Sequence, residues 1–125
     1  MTVDILGTPY AILTRKREDD PRFKDNICGY CDEFLRRIVL CDLKTHEEWK
    51  DETPEKLEIC RKLILRHEIV YAFLNESGLR DNAGTLNAPW PMNEEMVDWF
   101  AIQGPKIMKA WKEAGCLEGG LYAGV

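Results

Sequence analysis

The chain has 125 residues, enough for one domain with its own core and too few for two. Apolar residues make up 45% and charged residues 31%, the composition of an ordinary globular domain and not of a disordered segment. A net charge of −5 speaks against a general nucleic-acid binder, and acidic residues blunt the short basic clusters at Arg15–Arg17 and Arg36–Arg37.

No basic, apolar leader opens the chain, since Asp4 interrupts the first apolar residues. No apolar run approaches the roughly 20 residues that span a bilayer. These features set the expectation of a cytoplasmic protein whose five cysteines are reduced.

Val3–Leu6 and Tyr10–Leu13 are short apolar stretches parted by Gly7-Thr8-Pro9, which predicts two short strands or one bent strand. Residues 14–26 are charged, contain Asp20-Pro21 and read as a loop. Cys28 and Cys31 have CxxC spacing. No second pair accompanies them, so buried or half-buried thiols are expected in place of a structural zinc site or a redox centre.

From Tyr30 to Cys41 two patterns compete. Tyr30, Phe34, Leu35, Ile38 and Val39 recur at helical spacing, whereas Ile38-Val39-Leu40-Cys41 is a compact run of strand length. A hairpin returning near residues 33–36 is favoured. Residues 42–52 are polar apart from Leu43 and Trp49, and His46, flanked by Glu47 and Glu48, is expected to be solvated.

Thr53 as cap, Pro54 at the first helical position and Glu55 in the first turn announce a helix. It is predicted from Pro54 to about Ser77, with Gly78 as its stop and an apolar face of Leu57, Cys60, Ile64, His67, Tyr71 and Leu74. Residues 80–92 read as a loop. Asn93 can cap a second helix opening with Glu94 and Glu95, with Met96, Val97, Phe100 and Ala101 on its apolar side. Ile107, Met108 and Trp111 continue the pattern, and Gly104-Pro105 is expected to kink or break it. The four tryptophans are expected to be core and groove-lining residues, and the glycine-rich tail after Gly115 carries no regular signal.

His67 and Tyr71 lie four apart, one above the other on a helix, and Glu68 occupies the place of the general base in an HExxH pattern. The stretch Leu65-Arg66-His67-Glu68-Ile69-Val70-Tyr71-Ala72-Phe73-Leu74-Asn75-Glu76-Ser77-Gly78-Leu79 resembles the active-site helix of small zincin-like metallopeptidases of phages and mobile elements. The stretch from Asn93 to Ala101 is similar to their second helix and to the corresponding segment of the ImmA/IrrE peptidases. Gly29 to Leu40 resembles the hairpin that precedes the active-site helix.

The resemblance implies an α+β fold of minimal zincin type, a small antiparallel sheet packed on the active-site helix with a second helix closing the site. It implies a zinc-dependent peptidase acting on a peptide or protein, with His67, Tyr71 and Glu94 as metal ligands, Glu68 as the catalytic base and Asp98 orienting a ligand. It also implies an extended substrate along an edge strand, placed at Arg37–Cys41. Tyr71 departs from the family pattern, because a phenol with pKa near ~10 must lose a proton to ligate well. Three outcomes stay open: Tyr71 ligates as phenolate; His46, Cys31 or Cys41 completes the site; or the metal is lost and an inactive peptide-binding accessory protein remains.

Overall fold

A computed structural model describes residues 1–24, 27–78 and 94–117 of the chain. It contains strands β1 (Thr2–Ile5), β2 (Thr8–Arg15), β3 (Gly29–Asp32) and β4 (Arg37–Cys41), then helices α1 (Pro54–Glu76) and α2 (Glu94–Glu113). The expected α+β class is what is observed. The sheet has the order β1-β2-β4-β3 and is mixed: β1/β2 and β3/β4 are antiparallel, while β2 and β4 run parallel with Ile12 opposite Ile38.

The two early apolar stretches form a hairpin about Leu6 and Gly7, both with positive φ, and β2 continues through Thr14 and Arg15 into the segment expected to be loop. The second hairpin turns at residues 33–36, where an Asp32 carboxylate oxygen accepts the Leu35 amide proton at 3.1 Å. Phe34 and Leu35, which made the segment look helical, stand exposed on that turn.

β4 is interior. Its run Ile38-Val39-Leu40-Cys41 is buried throughout, as befits a central strand covered on both faces, and this corrects its expected place as the substrate-bearing edge. The open edges belong to β1 and β3. Alternation along β4 divides the core. Ile38 and Leu40 pack with Val3, Ile5 and Tyr10 beneath Leu65, Ile69, Phe73, Trp99 and Ile107, whereas Val39 and Cys41 pack with Phe23, Leu43 and Leu57.

Thr53 caps α1, its hydroxyl accepting the Lys56 amide proton at 3.2 Å, and Gly78 follows the helix at φ +80°. The buried face of α1 is Leu57, Leu65, Glu68, Ile69, Ala72, Phe73 and Leu74. Leu57 and Leu74 of the expected face are buried and Cys60 and Ile64 pack against the core, but its other two members are corrected. His67 and Tyr71 are exposed because Leu65, Ile69, Ala72 and Phe73 form the fuller ridge and turn toward the sheet.

Helix α2 is continuous through Gly104-Pro105, so of the expected kink or break the break does not occur. Pro105 removes one backbone hydrogen bond, which costs about 3 kcal/mol in a helix interior. Burial of Trp99, Ile107 and Ala110 on either side, at roughly 1.5–3 kcal/mol for a large apolar side chain, offsets that loss. Phe100, expected on the apolar side, is exposed. The loop expected at residues 80–92, with Trp90, and the tail after residue 117 lie outside the described residues, as do the side chains of Val97 and Ala101.

Gly29 sets how closely α1 approaches β3: a Cβ there would lie 2.7 Å from Ile64 Cγ2. Gly29→Ala should therefore destabilise the fold by about 1–3 kcal/mol, the usual cost of overpacking, read as a lower urea midpoint at unchanged slope. An unaltered midpoint would show that the helix is not held against the strand at this point.

Candidate functional site

The largest described hollow is a groove of about 720 Å³ between the β3 edge and α1, lined by Ile27, Cys28, Gly29, Glu48, Trp49, Leu63, Ile64, His67 and Glu68. Two smaller hollows offer less. One of about 210 Å³ contains Glu58 and Arg61, which already neutralise each other through contacts of 2.9 and 2.7 Å. The other, about 290 Å³, lies between β1 and α2.

His67 and Glu68 reach the groove together although one is exposed and the other only 7% exposed. Successive helical positions point about 100° apart, so the lip of the groove takes His67 and its inner wall takes Glu68. Burial holds the Glu68 carboxyl well above the usual carboxylate range, at about 7. Tyr71 is 42% exposed, and its ring meets that of His67 edge-on with centroids 5.0 Å apart. Trp49, which with Leu43 interrupts an otherwise polar segment, forms part of the wall and hydrogen-bonds Cys28.

The backbone of β3 contributes too. The Cys41 amide donates to the Cys28 carbonyl at 2.8 Å, so Cys28 and Cys41 form a hydrogen-bonded antiparallel pair. In such a ladder the next residue, Gly29, turns its N–H and C=O away from β4 toward the open edge.

The two helices run antiparallel. The Trp99 indole donates to Ser77 Oγ at 3.2 Å and the Trp111 indole to the Arg66 carbonyl at 3.3 Å, while Arg66 Nη1 donates to the Cys116 carbonyl at 2.8 Å. Residues near Trp111 therefore lie level with His67. Trp99 lies level with Ser77, ten residues or roughly 15 Å further along α1 at the helical rise. The side chains of Glu94 and Asp98 are outside the described residues, and the backbone does not by itself bring their turn to His67.

The expected ligand set is thus brought together only in part. His67 and Tyr71 are neighbours, but one imidazole and one phenol are poor provision for zinc, and no group of three His, Cys, Asp or Glu residues converges among the described residues. The described residues alone do not make up a zinc centre, since the Glu94 side chain lies outside them. Neither CxxC nor His46 completes one. Cys31 packs on the helix-covered side, receiving a hydrogen bond from Asn75 Nδ2 at 3.5 Å, whereas Cys28 and Cys41 belong to the other cluster. His46, expected to be solvated, is 1% exposed and its Nδ1 accepts the Glu48 amide proton at 3.1 Å. Its burial follows from local structure: the 3-10 turn Leu43–Thr45, capped by Asp42, directs the following residue inward.

No described helix is long and apolar enough to cross a membrane. No family model, curated protein or solved structure matches the chain.

The raised Glu68 value has a consequence for stability. The folded chain keeps a proton that the unfolded chain gives up near its ordinary 4.5, so stability falls as pH rises from about 4.5 to about 7 and then levels. Glu68→Gln, which cannot ionise, should exceed the natural chain in stability at pH 8 by roughly 1–3 kcal/mol and lose that advantage near pH 4.5. A difference independent of pH would show that Glu68 is not desolvated.

Proposed function

We propose that this chain is a zincin-type protein that binds an extended peptide in the groove between the β3 edge and α1. One observation carries the reading: the outward-turned backbone of Gly29 and the His67–Glu68 pair border the same hollow. A peptide pairing with β3 would gain backbone hydrogen bonds from the strand edge. Its side chains would meet the apolar wall of Ile27, Trp49, Leu63 and Ile64. The HEIVYAFLNESGL stretch supports a metallopeptidase ancestry of the kind found in phages and mobile elements. Tyr71, standing where that ancestry requires histidine, supports binding without efficient cleavage.

A second reading, a zinc-dependent metallopeptidase with Tyr71 as a weak ligand, is favoured by one specific feature. Glu68, with a carboxyl value near 7, is suited to accept and return a proton at neutral pH beside His67. The ligands this reading assigns are His67, Tyr71 and Glu94.

Incubation with a random peptide library, with and without added zinc, separates the two. The binding reading predicts that retained peptides are recovered intact and that Glu68→Gln retains them equally. Zinc-dependent cleavage that disappears in Glu68→Gln would overturn it in favour of the hydrolase.

Tyr71→His places two imidazoles one helical turn apart and should raise zinc affinity at least about tenfold, measured by competition with a chromogenic chelator. Unchanged affinity would mean that position 71 does not share a site with His67.

A further inference from the structure

Three cysteines gather at one end of the sheet. Cys28, Cys41 and Cys60 belong to one apolar cluster with Phe23, Val39, Leu57 and Trp49. Cys28 is half-buried on the groove wall, and Cys41 is buried beneath it. The spacing that catches the eye in the sequence, Cys28 with Cys31, joins residues that the alternation of a strand sends to opposite faces. The pairing that the fold creates is a different one. With Gly29 opposite Leu40, the register carries on to set Cys28 opposite Cys41, and the Cys41 amide closes the pair on the Cys28 carbonyl at 2.8 Å.

We propose that Cys28 and Cys41 form a thiol pair that a small disulfide such as oxidised glutathione converts to a cross-strand disulfide. Directly opposed residues of a hydrogen-bonded antiparallel pair have Cα atoms about 5.5 Å apart and side chains on the same face. A disulfide spans Cα separations of roughly 4.4–6.8 Å, so the two backbones already stand within its reach, and a small local adjustment brings the Cβ atoms together. Burial raises both thiols, Cys41 to about 11, and Cys28 is the next cause of the Cys41 shift.

Cys28, the more exposed, reacts first. Its thiolate attacks one sulfur of the small disulfide, forming a mixed disulfide and releasing one glutathione thiolate. The Cys41 thiolate then attacks the Cys28 sulfur, closing the protein disulfide and releasing the second. The two protons lost by the protein end on the two glutathione molecules, and the two electrons lost by the cysteines reduce the glutathione disulfide. Burial leaves both thiols little ionised at neutral pH, which makes the exchange slow, so it answers sustained oxidation more than a brief pulse. The product staples the start of the groove-bearing edge strand to the centre of the sheet.

The test is incubation of the folded chain with oxidised glutathione at pH 8, followed by alkylation, proteolysis without reductant and mass spectrometry. The expected product has lost two hydrogens and yields a linked peptide pair containing Cys28 and Cys41. Cys60→Ser should leave that link intact, and Cys41→Ser should stop at a glutathione adduct on Cys28. A natural chain that retains both thiols, stops at the Cys28 adduct, or links Cys28 to Cys60 would overturn the proposal. Because Cys60→Ser and the natural chain carry the same opposed pair, failure of one cysteine variant to fold does not remove the test.

Discussion

Ile64 of α1 rests where any side chain at position 29 would stand, and this contact determines where the groove lies. With only a hydrogen at Gly29, the helix settles close over the outermost strand, whose far edge pairs with no other strand among the described residues. Ile64, one turn before Glu68, fixes the height of the carboxyl against the strand. His67 then falls on the lip, and Trp49 closes the wall from the segment preceding the helix. The groove is the product of one tight approach and of the ridge Leu65-Ile69-Ala72-Phe73 that holds α1 in its rotation.

Polar anchoring secures the opposite end of the same helix. Glu76 lies at the C-terminus of α1, where a negative charge is unfavourable to the helix dipole. Tyr10 donates to it at 2.7 Å and Thr8 at 3.3 Å, and Arg36 lies 3.5 Å away, tying both hairpins to the helix end. Burial, with the Glu76 hydrogen bond behind it, raises the Tyr10 phenol, so this anchor stays protonated at every physiological pH. A second anchor holds the chain between β2 and β3. Burial works to raise the Asp20 carboxyl, but the Tyr30 hydroxyl, the Arg22 amide and Arg15 outweigh it and hold the group below its ordinary value.

The limits of α1 were legible because Thr53-Pro54-Glu55 and Gly78 are local signals that need no tertiary context. Its rotation was not. Periodicity places His67 and Tyr71 in the apolar stripe and leaves Glu68 out of it, yet packing buries the glutamate and exposes the tyrosine. The resemblance to zincins had the opposite strength, singling out Glu68 and His67 as partners, and these two do meet at one groove. Strand order lay beyond local pattern: the apolar run Ile38–Cys41 gives strand length, and the resemblance placed it at the edge, but the parallel pairing with β2 sets β4 inside the sheet and leaves the edge to β3. The glutamates flanking His46 describe its sequence neighbourhood and not the capped turn that directs it inward. Cys28 and Cys41 could not be paired from spacing, since their opposition exists only once the hairpin register is set.

The central claim is that the β3 edge beside His67 and Glu68 receives a peptide strand. Amide hydrogen exchange of the protein saturated with a peptide selected from a display library tests it most directly. The account predicts that the Gly29 amide, turned outward from the sheet, gains protection on binding while β1 exchanges as before. Protection confined to the β1 edge or to α2, with Gly29 unchanged, would contradict it.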